Sequence, residues 1–186
     1  EYARELEKKE GYTFVHPYQD ARVIAGQGTI GLEILSQLPD VDSVIIPIGG
    51  GGLISGISLA IKTLKPSCKI FGVQSNQTPG MSQLFKHQSG ELKNKRITTI
   101  ADGIAIKRPS VEMYNEFISK YVDDIVTVSD DEIAEAIVYL VERMKTVTEG
   151  SGAAGFAGLM NHKLNYGKNV CVLLCGGNID LNIISK

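Results

Sequence analysis

Four consecutive glycines stand between an apolar segment and a segment with the pattern of a helix, and this run constrains the fold more than any other feature. Residues 44–48 are aliphatic apart from Pro47, and the glycines of residues 49–52 follow them directly. Glycine lacks a Cβ, so successive backbone N–H groups can converge on one point, and the positive end of the following helix dipole adds to them. The arrangement predicts a cradle for a phosphate or another small oxyanion.

A flexible linker is the alternative interpretation of the glycine run. Linkers of that kind are not enclosed between an apolar strand and an amphipathic helix, so the context favours the cradle. The run also lacks the Gly-Lys-Ser/Thr ending of a nucleotide P-loop, which excludes a Walker site.

Apolar runs alternate with helical patterns along the chain, which predicts an α/β fold with a mostly parallel sheet covered on both faces. The predicted strands are 13–15, 43–48, 69–74, 125–128 and 169–174. The predicted helices are 21–37, 53–64, 81–87, 111–120, 130–145 and 151–161. In the helix at 130, Ser129 and Glu132 form a predicted capping box. Its apolar stripe comprises Ile133, Ile137, Leu140, Val141 and Met144.

Length and composition indicate one globular domain. The chain has 186 residues, is 43% hydrophobic and carries a net charge of −2. It has no basic patch that would indicate nucleic-acid binding and no apolar run of membrane-spanning length. Three cysteines without a disulfide framework indicate a reducing, cytoplasmic setting. Cys171 and Cys175, on one predicted strand, lie about 13 Å apart at ~3.3 Å per residue, too far for a disulfide.

Five short segments follow one another along the chain in an order that resembles a known family. They are His16-Pro-Tyr-Gln-Asp20 with Val23-Ile-Ala-Gly-Gln-Gly-Thr-Ile-Gly31, then Gly49-Gly-Gly-Gly-Leu53, Ala101-Asp-Gly-Ile104, Thr148-Glu-Gly-Ser-Gly-Ala-Ala154 and Cys175-Gly-Gly-Asn-Ile-Asp180. In order and spacing they resemble the pyridoxal-phosphate threonine/serine dehydratases, which include serine racemase. The threonine dehydratases are the most similar members. The resemblance implies a three-layer, tryptophan synthase β-subunit-like fold, the large domain of a fold-type-II pyridoxal-phosphate enzyme.

The resemblance also implies which residues hold the cofactor, pyridoxal 5′-phosphate. They are Gly49, Gly50, Gly51, Gly52, Leu53, Gly103, Glu149 and Cys175. Gly49–Gly52 and Leu53 take the place of the phosphate loop, and Cys175 takes the family's Ser/Cys position at the pyridine nitrogen. A neutral group there cannot stabilise a pyridinium as an aspartate would, which favours β-elimination over reprotonation.

Three of these residues also have a purely structural interpretation. Cys175 could be a small buried hydrophobic residue, as most free cysteines are. Glu149 could satisfy backbone donors at the start of a helix. Gly103 could belong to an ordinary Asp-Gly turn.

Gly26, Gly28 and Gly31 fit the dinucleotide fingerprint, with Asp42 at a loosely suitable distance. That motif requires a full strand before it, which residues 23–25 are too short to supply. A Gly-rich helix start packed closely on the sheet is the favoured alternative.

Two departures from the family pattern stand out. The chain has no Ser-Phe-Lys-x-Arg-Gly-type segment, which carries the Schiff-base lysine of the family and precedes its ring-binding asparagine, and Lys62 and Lys65 have the wrong neighbours. We therefore expect no catalytic residue here and expect residues 1–186 to be a fragment, a large cofactor-binding domain lacking an upstream lysine-bearing segment. Residues 74–80 contain no carboxylate, unlike the cation site of serine racemase-like members, so no metal is predicted. His16, His87 and His162 show no metal spacing and no obvious partner.

The function implied by the resemblance is a lyase reaction, the dehydration and deamination of L-threonine to 2-oxobutanoate and ammonia, with L-serine as a second substrate. The alternatives are serine racemase, serine dehydratase and a non-catalytic domain that binds a phosphate ligand. The expected partner is a small amino-acid substrate, with no nucleic acid and no membrane. The enzyme is expected to be a homo-oligomer that acts in isoleucine biosynthesis or threonine catabolism.

Overall fold

The computed structural model describes residues 2–90, 97–161 and 164–179, and within them four parallel strands form one sheet in the order β3-β2-β1-β4. The strands are β1 (Ser43–Pro47), β2 (Lys69–Ser75), β3 (Asp124–Val128) and β4 (Val170–Val172). The main helices are α1 (Tyr2–Glu10), α2 (Ala21–Gln37), α3 (Gly52–Leu64), α4 (Gly80–Phe85), α7 (Asp130–Tyr139) and α8 (Gly150–Met160). The other described elements are a 3-10 turn (Asp102–Ile104), the short helices α5 (Val111–Met113) and α6 (Ser119–Tyr121), and two π-helical segments (Tyr114–Ile118 and Leu140–Met144).

Two separate cores cover the two faces of the sheet. Neighbouring β1 residues point to opposite sides, with Ile45 in the core beneath α7 and α8 and Ile46 in the core beneath α3. Every residue of β1 is buried, because helices cover both faces of a parallel sheet. The predicted three-layer α/β architecture is therefore confirmed.

Helix α2 packs on α3 at backbone distance. An ideal Cβ on Gly28 would lie 3.2 Å from the carbonyl oxygen of Gly56, and one on Gly31 would lie 3.0 Å from that of Ile57. Asp20 caps α2 by accepting the N–H of Arg22, and no strand precedes this helix within the described residues. The glycines of residues 26–31 thus serve packing between two helices. This agrees with the interpretation that these glycines serve packing and do not form a dinucleotide motif. The prediction that they pack on the sheet is wrong, because they pack on α3.

The strand predicted at 13–15 is wrong. The N–H of Phe14 donates to the carboxylate of Glu7 at 3.0 Å, so its hydrogen bond goes to a side chain instead of a neighbouring strand. The last predicted strand is shorter than expected, since β4 covers only Val170–Val172. Cys171 and Cys175 therefore do not share a strand, and all three cysteines are free.

Two predicted helices are interrupted by π-helical turns. The helix predicted at 111–120 divides at Tyr114–Ile118, and the one at 130–145 changes to a π-helix at Leu140–Met144. The capping box of Ser129 and Glu132 is confirmed. Val141 and Met144 are exposed, contrary to prediction, because the wider π turn rotates them away from the 3.6-residue stripe.

Within the described ranges, no helix combines the length and the apolar character needed to cross a membrane.

Candidate cofactor-binding site

The glycine segment lies at the carboxyl end of β1, where α3 begins. Gly51 is the residue before the first turn of α3 and has a φ of +99°, a conformation that side chains with a Cβ rarely adopt. The first backbone N–H groups of a helix have no acceptor within the helix, and Gly51 offers no side-chain acceptor to them. The thirteen-residue helix α3 thus presents N–H donors and the positive end of its dipole at this point, the geometry of an oxyanion cradle.

Tyr18 packs directly against this segment. An ideal Cβ on Gly50 would overlap the Tyr18 ring, and one on Gly52 would lie 2.8 Å from the Tyr18 Cβ. His16 supports the turn that carries Tyr18, because its Nδ1 accepts the backbone N–H of Gln19 at 3.1 Å and that of Tyr18 at 3.4 Å. The prediction that His16 lacks a partner is wrong. Glycine is required at positions 50 and 52 because an aromatic residue stands where their side chains would be.

The structure brings all the residues assigned by resemblance into one cleft of about 510 Å³. These are Gly49, Gly50, Gly51, Gly52, Leu53, Gly103, Glu149 and Cys175. Side chains that the sequence did not single out also line the cleft, among them Pro17, Tyr18, Gln27, Ile104 and Ser151. The carboxyl ends of β1 and β4 converge here, as expected for a ligand site in an open parallel sheet.

Gly103 lies between the glycine segment and the start of α8. An ideal Cβ on Gly49 would lie 3.4 Å from the Gly103 carbonyl oxygen. One on Gly103 itself would lie 2.8 Å from the Ser151 Oγ and 3.3 Å from Oε1 of Glu149. The exposed backbone of Gly103 therefore forms a continuous surface from the anion cradle to these two polar side chains.

Glu149 directs its carboxylate into the cleft. It occupies the position that caps α8, yet its side chain accepts no capping hydrogen bond, so the interpretation as a helix-start carboxylate is wrong. The adjacent Thr148 hydroxyl donates to the carbonyl oxygens of Cys175 at 2.9 Å and Gly176 at 3.0 Å. These bonds hold the loop after β4 against the start of α8.

Cys175 stands in that loop, open to the cleft, so its interpretation as a buried hydrophobic residue is wrong. Partial desolvation raises the pKa of its thiol, and the nearby carboxylate of Glu149 raises it further. The thiol is therefore neutral at pH 7, in keeping with the neutral group that the resemblance implies.

Ser151 and Tyr18 are two of the cleft residues that sequence reasoning missed. Both lie within segments that resemble the family, which is the signal that could have found them. Ser151 is 4% exposed, and its Oγ has no hydrogen-bond partner among the described residues. The segment could have pointed to Ser151, but the lack of a partner for its hydroxyl depends on tertiary structure and cannot be read from the sequence.

The remaining candidates lie elsewhere. Lys62 pairs with Asp123 at 2.8 Å, and Lys65 donates to the carbonyl oxygen of Pro39 at 2.6 Å. His87 is exposed, and His162 falls outside the described residues. In the ranges that the structure covers, no three His, Cys, Asp or Glu side chains are grouped as metal ligands would be.

Among known proteins, this chain is similar to threonine ammonia-lyases and threonine dehydratases. The chain is 48% identical over 187 residues to the L-threonine ammonia-lyase of Thermotoga maritima, covering 100% of this chain and 46% of that protein. It is 48% identical over 186 residues to the catabolic L-threonine dehydratase TdcB of Escherichia coli K12, covering 98% of this chain and 56% of that protein. The chain thus spans about half the length of the curated relatives it matches.

Solved structures of similar enzymes also superpose on this chain. A threonine deaminase from the organism abbreviated T.th. superposes with a TM-score of 0.89 at 34% identity, covering 96% of this chain and 65% of that one. Maize serine racemase superposes with a TM-score of 0.86 at 30% identity, covering 98% and 57%. Residues 1–176 match the sequence profile of a family described as pyridoxal-phosphate dependent enzymes, so the resemblance seen in the sequence is confirmed.

Proposed function

Because the chain belongs to the pyridoxal-phosphate dependent enzymes, we propose that it is the large, cofactor-binding domain of an L-threonine ammonia-lyase. The observation that carries this proposal is the convergence of Gly49–Gly52, Leu53, Gly103, Glu149 and Cys175 on one cleft. The names of the relatives at 48% identity support threonine as the substrate.

The residues of the cleft fit the cofactor. A phosphate fits the cradle at the start of α3, where side chains at positions 50 to 52 would overlap Tyr18 or strain the backbone. A flat ring fits over Gly103, whose Cβ would otherwise project toward Ser151 and Glu149. The neutral thiol of Cys175 also lines the cleft, and the resemblance assigns it to the ring nitrogen.

Bound pyridoxal phosphate supplies an electron sink that stabilises negative charge at the Cα of an amino acid. The residues of this chain would fix its position and tune it. The cradle would orient the phosphate, and the backbone of Gly103 would support the ring. Cys175, as a neutral group, offers the ring nitrogen no carboxylate to stabilise its protonated form, which favours loss of the β-hydroxyl of threonine over return of a proton to Cα.

The sequence contains no segment of the Ser-Phe-Lys-x-Arg-Gly type. We propose that the lysine that exchanges the Cα proton belongs to an upstream segment, and that residues 1–186 bind the cofactor without turning over substrate. We also propose that the complete enzyme is a cytoplasmic homo-oligomer; the free cysteines support the reducing compartment.

Serine racemisation is the second candidate, supported by the similarity to maize serine racemase. The test is to purify the complete gene product, saturate it with pyridoxal phosphate and supply L-threonine or L-serine separately. We expect 2-oxobutanoate from threonine and a slower release of pyruvate from serine, with little D-serine. D-serine as the main product would select the racemase, and cofactor binding without any turnover would select a non-catalytic binding domain.

The isolated 186-residue chain provides a separate check. With pyridoxal phosphate and L-threonine it should form no 2-oxobutanoate. Turnover comparable to that of the complete gene product would contradict the assignment, because one of the lysines within the chain would then have to be catalytic.

A further inference from the structure

Ser151 carries a buried hydroxyl that makes no hydrogen bond with any described residue. The residue is the second of helix α8 and is 4% exposed, and its Oγ has no hydrogen-bond partner in the described part of the chain. A buried hydroxyl without a partner destabilises the folded protein, because it has lost its hydrogen bonds to water. Such a group in a cleft indicates a ligand that completes its hydrogen bonding.

The hydroxyl points to the same space as the carboxylate of Glu149. Both groups lie within 3.3 Å of one point, the position of an ideal Cβ on Gly103. Ser43, Ser55 and Thr78 also have buried hydroxyls without a described partner, but none of the three lines the cleft, whereas Ser151 does. The position of Ser151 therefore distinguishes it from the other isolated hydroxyls.

Its place along the cleft indicates which part of a ligand it would contact. An ideal Cβ on Gly49 would lie 3.4 Å from the carbonyl oxygen of Gly103, whereas Ser151 Oγ lies 2.8 Å from the Cβ position of Gly103 itself. Gly103 therefore stands between the glycine segment and Ser151. A ligand with its phosphate in the cradle and its ring over Gly103 would bring the edge of that ring to Ser151. The hydroxyl would thus meet the ring and not the phosphate.

We propose that Ser151 is a ligand-contacting residue whose hydroxyl forms a hydrogen bond with a polar atom on the edge of the bound pyridine ring. This inference rests on the proposed function, which supplies the identity of the ring. The hydroxyl lowers the stability of the free protein because it lacks a hydrogen bond, and it gains that bond when the ring binds.

The experiment uses the 186-residue chain and two non-covalent probes. Pyridoxine 5′-phosphate has the ring and the phosphate but no aldehyde, so it binds without forming a bond to any lysine. Inorganic phosphate reports on the cradle alone. Both affinities are measured by isothermal titration calorimetry for the wild type, Ser151→Ala and Ser43→Ala, and thermal unfolding of each free protein is recorded.

We expect Ser151→Ala to weaken pyridoxine 5′-phosphate binding about fivefold, the effect of one lost hydrogen bond, with phosphate affinity unchanged. Its Tm without ligand should equal or exceed that of the wild type, because an unsatisfied group has been removed. Ser43→Ala, which removes an equally isolated hydroxyl outside the cleft, should leave both affinities unchanged.

The outcomes separate the two proposals. Wild-type binding that Ser151→Ala does not change would overturn the role of Ser151 and leave the proposed function intact. Equal loss for both probes, or a variant that unfolds or has a lower Tm, would also overturn it, because the hydroxyl would then act on the phosphate or on the fold. A wild type that binds neither probe would overturn the proposed function and this inference together.

Discussion

The backbone N–H of Glu149 donates a 2.8 Å hydrogen bond to the carbonyl oxygen of Gly176, which joins the start of α8 to the loop after β4. Gly176 has a φ of +74°, and a Cβ there would overlap the Glu149 carboxylate. The carboxylate can therefore stand beside Cys175 only because a glycine follows that cysteine. The left-handed backbone of Gly176 thus determines how close the charge of Glu149 lies to the Cys175 thiol.

Replacing Gly176 should have a larger effect than replacing its neighbour. Gly176→Ala combines a left-handed backbone with overlap on Glu149, so we expect a loss of at least about 1–2 kcal/mol in the free energy of unfolding. Gly177→Ala is the matched control, since a Cβ there meets nothing within 4 Å. Urea unfolding of both variants is the measurement. Equal stability of the two would show that the Glu149–Gly176 contact has no energetic weight.

The anion cradle depends on the positive φ of Gly51. Gly51→Ala should strain this backbone by about 1–2 kcal/mol and turn the adjacent N–H groups away from their common point. We expect inorganic phosphate and pyridoxal phosphate to bind about tenfold more weakly, which corresponds to ~1.4 kcal/mol.

Gly26→Ala is the control for this substitution. Gly26 lies inside α2 with open space around its Cβ position, so alanine should stabilise the protein by about 0.5–1 kcal/mol without changing phosphate affinity. Wild-type phosphate affinity in Gly51→Ala would argue against the cradle.

The thiol of Cys175 should react slowly with alkylating reagents at neutral pH. Desolvation and then Glu149 raise its pKa above the ordinary value of 9.0, so the reactive thiolate forms only at higher pH. Because the folded pKa exceeds the unfolded one, the associated stability is present below the unfolded pKa and is lost as the pH rises through the folded pKa.

Glu149→Gln should shift the pH profile of Cys175 alkylation to lower pH. Iodoacetamide labelling quantified at this cysteine by mass spectrometry gives the profile. Glu142→Gln removes an exposed carboxylate that does not act on this thiol and should leave the profile in place. An unchanged profile in Glu149→Gln would mean that Glu149 has no influence on the thiol.

Charge at position 175 should govern the elimination reaction of the complete enzyme. Cys175→Ser keeps a neutral group of similar reach and should retain turnover of L-threonine. Cys175→Asp would place a charge against the ring nitrogen and should reduce kcat. Steady-state formation of 2-oxobutanoate measures both, and wild-type kcat in the two variants would reduce Cys175 to a residue of the cleft wall.

Local signals explain why much of the fold could be predicted. Helix α2 has its predicted bounds, Ala21–Gln37, because Asp20 caps its start and Pro39 follows its end. The glycine segment was recognisable because a buried strand and a helix enclose it. These features depend on neighbours in sequence, which a pattern records directly.

The errors have the opposite origin. A strand at 13–15 required a partner strand, and Phe14 bonds the Glu7 side chain instead. The π turn at Leu140–Met144 changes a period that sequence reasoning takes as constant. The packing of Tyr18 against Gly50 joins segments far apart in the chain. The lack of a described partner for the Ser151 hydroxyl likewise depends on how distant segments pack. No local pattern contains that information.

The close approach of α2 to α3 has a consequence for how the cleft moves. Backbone contacts at Gly28 and Gly31 leave no compressible side-chain layer between these helices, so they should move as one stiff unit. Both Tyr18, just before α2, and the glycine segment, at the start of α3, are anchored to that unit. The facing wall comprises a short 3-10 turn with Gly103, the start of α8 and the irregular loop after β4. Motion of the cleft should therefore occur between two units, with Tyr18 and the glycine segment on one and the start of α8 with the loop hydrogen-bonded to it on the other.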